Sequence, residues 1–190
     1  MLSVTFDTNL LIDLEEKRLG FEKVLEIVDL HNSGKIKLCI PAIAASEKLL
    51  DEKHIPNYKL FEEYLNNLKI VNYEELKPLM YVDMCYINHS LVAGDELIAL
   101  DHLIHKILFP SIEVKLEDFY RKQRSDSEVI QSKWRNAKID VQMLWCHIFH
   151  KKDIFITRDE NFRKKEPRLN EQIGKVVITN PEQFLEKYNA

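Results

Sequence analysis

The chain has 190 residues, 45% of them hydrophobic and 31% charged, with a net charge of −4: enough for one globular, soluble domain with a sizeable core and marginal for two. Its 4 Gly and 6 Pro argue against long disordered linkers, and no apolar run reaches the roughly 18 residues that a membrane span needs. The stretch from Met1 to Asp7 has no basic region or small-residue cleavage site, and Cys39, Cys85 and Cys146 match no zinc spacing, so a cytoplasmic protein with buried, reduced thiols is expected.

Leu2 to Phe6 is a short β-favouring run that ends in Asp7-Thr8-Asn9, which suits the start of a helix. Phe21, Val24, Leu25, Ile27, Val28 and Leu30 recur at helical spacing until Asn32-Ser33-Gly34 stops them. Residues 36–40 read as a second strand, and Pro41 opens a helix expected to run to about residue 50. Residues 58–68 form an amphipathic helix, and Ile70-Val71 reads as a short strand or extended connection. Residues 97–108 suit a buried helix, whereas 111–138 are polar and charge-rich. Asp140 starts another helix through Phe149, followed by a strand over 153–157. Residues 176–179 make the last strand, and Asn180-Pro181 opens a final helix. Strands alternating with helices predict a parallel sheet covered on both faces.

Four acids fall at carboxyl ends of predicted strands or on the helices beside them. Asp7 and Asp159 follow strands, and Glu47 and Asp140 sit near helix starts. Ligand sites of open α/β sheets form at that rim, so the four can converge. Clustered carboxylates repel one another unless a cation compensates, and an oxygen-only set selects Mg²⁺ or Mn²⁺. Such ions assist phosphodiester hydrolysis. Taken singly, each acid has an ordinary alternative: Asp7 and Asp140 as helix caps, Glu47 as a solvated helix residue, Asp159 as a turn residue.

Together the flanks resemble a known family. Val4-Thr5-Phe6-Asp7-Thr8-Asn9, the run from Ile40 through Pro41 to Glu47, Asp140 followed by Leu144 and His147, Ile156-Thr157-Arg158-Asp159-Glu160-Asn161-Phe162, and the run from Val177 to Leu185 containing Pro181-Glu182-Gln183-Phe184 are similar in order and flanks to the motifs of the PIN-domain nucleases, which include the VapC-like ribonucleases. The resemblance covers residues 1–50 and 139–187. It implies an α/β three-layer fold and metal-dependent cleavage of RNA, with Asp7, Glu47, Asp140 and Asp159 as catalytic, metal-binding acids. Thr157 would then hydrogen-bond within the acidic site, and Asn9 would support it from behind. One departure is the 93 positions between Glu47 and Asp140, which imply a helical insertion at about 70–135 within a single domain over 1–190. Deleting 111–135 is expected to leave the metal site able to form.

Charge is unevenly placed. Positions 121–168 hold 13 Lys+Arg against 7 Asp+Glu, a balance of +6, and the rest of the chain stands at −10. That concentration suits either a backbone-binding face or a solvated surface. Arg158, Arg163, Lys164 and Lys165 are the candidate RNA contacts beside Asp159. Trp134, flanked by Lys133 and Arg135, suits packing better than base stacking. The pairs His102/His105 and His147/His150 lack a third ligand and read as core or surface histidines. A dehalogenase-type phosphatase also begins with a strand and Asp but needs a second Asp at position 9, which is Asn. RNA is thus the expected partner, with an antitoxin protein and a homodimer on the toxin reading. The alternatives are an RNA processing or decay nuclease, a DNA nuclease of related fold, and a non-cutting scaffold that binds RNA or protein.

Overall fold

A computed structural model of the chain describes residues 1–47, 49–50, 53–92 and 94–188. β1 (Leu2–Phe6) leads through α1 (Thr8–Glu16) and α2 (Phe21–Asn32) to β2 (Ile36–Pro41). A single turn, α3 (Ala44–Glu47), and an antiparallel pair, β3 (Leu49–Leu50) with β4 (Lys53–His54), precede α4 (Tyr58–Asn67) and β5 (Glu74–Leu76). Then come α5 (Asp95–Leu108), α6 (Leu116–Gln123), α7 (Glu128–Phe149), β6 (Ile154–Ile156), α8 (Glu160–Gln172), β7 (Ile178–Thr179) and α9 (Pro181–Tyr188).

The main sheet runs β5-β2-β1-β6-β7 with every pairing parallel, flanked by helices as expected for an α/β three-layer fold. Its central strands are buried runs. Val4, Thr5 and Phe6 of β1, and Leu38, Cys39 and Ile40 of β2, are each at most 1% exposed, as sheets covered on both faces require. β1 and β2 lie side by side, but β1's other neighbour is β6, 150 residues on, in register Phe6 with Ile156. The chain therefore reverses its direction of sheet growth between β1 and β6. A crevice opens there at the carboxyl ends of the strands, the usual position of a ligand site.

α1, α2 and α9 pack together, whereas α7 gathers α3, α5 and α6 around it and touches β2 and β6. α5 also packs on α8, with Ile104, Ile107 and Leu108 inside. The C-terminal half of the apolar helix expected at 97–108 is thus covered within the chain, whereas Ile98 is 39% exposed and Leu97, Leu100 and Leu103 are half-buried.

Several elements depart from expectation. The helix read from Pro41 to about residue 50 is only the one turn Ala44–Glu47, and the chain then turns into β3; Lys48, within that expected helix, lies outside the described residues. Asp140 does not start its helix but is the thirteenth residue of the 22-residue α7. The region at 70–135 is not all insertion. β5 belongs to the main sheet, pairing with Cys39–Pro41 of β2, and α7 reaches back to Glu128. The strand here is Glu74–Leu76 rather than Ile70-Val71, because only the former reaches the register of β2. A deletion of 111–135 would therefore cut into α7.

Candidate active site

Asp7 occupies the N-cap position of α1, yet its side chain makes no cap hydrogen bond. Its Oδ2 accepts instead from Asn9 Nδ2 at 2.6 Å and from Thr157 Oγ1 at 2.5 Å. The backbone N–H of Asp7 donates to Ile156 C=O at 3.1 Å, which ties the end of β1 to the end of β6. Asn9 Nδ2 also reaches Thr157 Oγ1 at 3.2 Å, and that hydroxyl accepts from the Asp159 N–H at 2.9 Å. One fully buried threonine therefore fixes two of the acids. Asp159 does cap its helix: Oδ1 accepts from Asn161 N–H at 2.7 Å. The cap and site readings of this residue are compatible.

All four expected acids line one cleft of about 580 Å³, with Asn9, Ser46, Ser132, Arg135, Asn136 and Ile139. Asp7 arrives from the end of β1, Glu47 from the turn after β2, Asp140 from α7 and Asp159 from the turn after β6. Their electrostatics show the convergence. Burial pushes the Asp7 carboxyl up to about 7, reinforced by the charges of Glu47 and Asp159 and opposed by the Thr157 hydrogen bond. Burial, and then the charges of Asp7, Glu47 and Asp159, hold Asp140 well above the ordinary carboxylate range. Glu47 is raised by its surroundings, with Thr8 opposing. Its residue surface as a whole is exposed, because the side chain opens onto the cleft. Among the described residues no Lys, Arg or His forms an ion pair with any of the four. No three His, Cys, Asp or Glu side chains among those residues form a ready-made cage for an ion.

The basic candidates sit elsewhere. Arg158 turns away from the cleft: Nε meets Asp13 at 2.7 Å, Nη1 meets Glu182 at 2.8 Å and Nη2 donates to Gly20 C=O at 3.0 Å. Glycine suits position 20 because its φ is +83°, and a Cβ there would also stand 2.9 Å from that Nη2, so the end of Arg158 would have to shift. Arg163, Lys164 and Lys165 lie on α8 and do not line the cleft; Lys164 pairs with Glu160 on the surface. Part of the basic surplus at 121–168 is taken up within the protein. Lys138 is fully buried against Asp101, and Lys152 pairs with Glu74. Trp134 is 8% exposed and donates to Glu113 C=O, so it packs rather than stacks on a base. The histidines are held one by one: His105 by Ile112 C=O, His150 by Lys77 C=O and His147 by Thr5.

Ser132, Arg135 and Asn136 are cleft residues that the sequence reading did not assign to the site. Ser132 and Asn136 stand eight and four positions before Asp140, on the same helical face. The spacing would have found them had the helix been started at Glu128. Fold and site together define an α/β protein with an acidic cleft where its sheet reverses growth, its four acids without an ion pair among the described residues. No family model matches the chain, and no curated protein does.

Proposed function

We propose that the protein is a metal-dependent endoribonuclease of the PIN-domain kind, hydrolysing RNA phosphodiester bonds with Mg²⁺ or Mn²⁺ held by Asp7, Glu47, Asp140 and Asp159. The observation that carries the proposal is the gathering of these four carboxylates, from four separate parts of the chain, into one cleft with no paired cation among the described residues. Burying like charges together without compensation is costly, and the donor set fits a hard divalent ion. Oxygen is the only ligand type the acids offer, and Mg²⁺ is commonly held by one or two carboxylates plus water and substrate phosphate rather than by an all-protein cage. When bound, the ion lowers the pKa of a water and offsets charge on a phosphoryl oxygen.

The chain's own part is positioning. Asn9 and Thr157 fix the orientation of Asp7, and Thr157 with the Asn161 N–H fixes Asp159. Asp140 is carried on a long helix packed against β2 and β6. These supports hold the carboxylates in place against their repulsion, so little rearrangement is required when a cation and substrate arrive.

The test is cleavage of an end-labelled single-stranded RNA by the purified protein. Cutting is expected with Mn²⁺ or Mg²⁺, should stop on chelation with EDTA and should return on adding excess Mn²⁺. Undiminished cutting in EDTA would overturn the metal assignment; RNA that is bound but left intact in Mn²⁺ would make the protein a binding scaffold. A small DNA-binding protein encoded immediately upstream would support the toxin form of the proposal, with that protein as its antitoxin.

A further inference from the structure

We infer that Arg135, with Ser132 and Asn136 beside it on α7, forms a subsite for an unreacting backbone phosphate of the nucleic acid, next to the phosphate at the acids; the inference rests on the nuclease reading above. Among the described residues that line the cleft, Arg135 is the one cation. It shares the cleft with four carboxylates, yet none of its nitrogens pairs with any of them among the described residues. Nη1 donates to Asp83 C=O at 2.7 Å and Nη2 to Ser46 C=O at 3.4 Å. Nε is buried and has no partner.

Backbone carbonyls orient a guanidinium without neutralising it. The cleft therefore holds two unmatched charges of opposite sign, a negative group at the acids and a positive fork beside them. A bidentate guanidinium–carboxylate contact is among the stronger polar contacts, yet Arg135 makes none with the acids that line the same cleft among the described residues. The two carbonyls, one from the turn that carries Glu47 and one from the 77–92 connection between β5 and α5, hold the fork instead. A metal and a phosphodiester backbone supply the complementary pattern: cation to the acids, anion to the fork. The guanidinium keeps donors to spare for phosphate oxygens.

The geometry also bears on which phosphate. Arg135 precedes Asp140 by five residues, roughly 7.5 Å along the helix axis. Both residues line the one cleft, so the phosphate at the fork is taken to be a different one from that at the acids, on the same strand. Ser132 and Asn136 are exposed on the same face and line the same cleft, offering a hydroxyl and an amide to that stretch of backbone.

The experiment measures the dissociation constant of a labelled single-stranded RNA by fluorescence anisotropy in EDTA, across about 50 to 200 mM KCl. Arg135→Gln is expected to weaken binding about tenfold and to flatten the slope of log Kd against log salt by about 0.7, one released counterion on a single strand. Arg135→Lys should restore the slope while recovering only part of the affinity, an outcome that loss of the carbonyl contacts alone would not produce. An unchanged slope in Arg135→Gln overturns the subsite. Should that variant not fold, Asn136→Asp at an exposed position puts a negative charge on the same face; it is expected to weaken binding about tenfold, and an unchanged Kd overturns the subsite equally. RNA bound by the wild type but never cut in Mn²⁺ would sink the nuclease reading while the slopes still decide the subsite. A wild type that binds no RNA in EDTA and cuts none in Mn²⁺ overturns both.

Discussion

Two charged residues two positions apart on α7 meet opposite treatment. Lys138 and its partner Asp101 on α5 are both fully buried, 3.0 Å apart. Tyr81 Oη at 2.9 Å and Gln142 Nε2 at 2.6 Å complete the Asp101 carboxylate, and the rings of Tyr81 and Trp134 face the ammonium at 5.0 and 5.7 Å. Burial lowers the Lys138 pKa, and Asp101 works against that shift. Asp140 looks into the cleft instead and meets only like charges. Where the fold needs a buried charge to join three segments, it surrounds the charge with partners. At the cleft it leaves the charge unmatched among the described residues. On the proposed metal-dependent reading, the cost of the second arrangement falls on the empty protein, and a bound cation removes it.

The contrast is broken most sharply by exchanging the effects of the two residues. Asp140→Asn should cut RNA cleavage by about a thousandfold, equivalent to about 4 kcal/mol of barrier, while chemical denaturation finds the protein as stable as the wild type or more so. Near-normal cleavage at matched metal would remove Asp140 from the site. Lys138→Met should do the reverse to the fold, destabilising it by about 3–5 kcal/mol because Asp101 is left buried and unpaired. A loss within error of zero would mean that Asp101 finds another partner or water.

Acidity gives a subtler version. Asp7 is raised from 3.8 to about 7, so between those values the folded chain keeps a proton that the unfolded chain has released. Stability from this group is therefore greatest below about pH 4 and falls as pH rises to about 7. His105 and His147, lowered from 6.5 to about 4 and about 3, act the other way, and their contribution is lost as pH falls below 6.5. Asp7→Asn removes the first effect and leaves the second. The stability gap between metal-free wild type and variant should widen by a few kcal/mol from about pH 4 to about pH 7 and stay level above; a gap independent of pH would count against the raised carboxyl. The smallest effect is expected at Arg158. Arg158→Ala loses two ion pairs that are partly open to solvent, so about 1 kcal/mol of stability should go, with no change in the salt dependence of RNA binding.

Three of the four acid-bearing positions were legible in the sequence because each has a local signature: a β-run ending in Asp-Thr-Asn, a strand running into Thr-x-Asp, and a Glu soon after Pro41. The alternation of strands and helices was legible for the same reason. What was not legible depends on distant partners. Glu74 and Glu75 look nothing like strand residues and become one only against Cys39 and Ile40 of β2. The first half of α7 reads as a polar stretch because Gln131, Ser132, Lys133 and Asn136 face outward, although Trp134, Ala137 and Lys138 on its other side are buried. Nothing near position 138 announces that this lysine lies inside, since its partner is 37 residues away on another helix. Arg158 sits next to a site acid in sequence and was expected at the RNA for that reason, but alternation along the extended chain sends it to the opposite side.

The seating of β6 beside β1 has a consequence for the chain while it is being made. Synthesis delivers β1 first and leaves its inner edge unpaired until residues 154–156 have been added, and Thr157 and Asp159 come later still. A nascent chain on the ribosome therefore carries Asp7 and Glu47 without the partners that complete their cleft. On the nuclease proposal, a polypeptide that stops short of residue 159 has no complete cleft with which to cut the transcript that encodes it. The cleft can close only once the turn that carries Asp159 has been made and Thr157 has reached Asp7 at the end of β1.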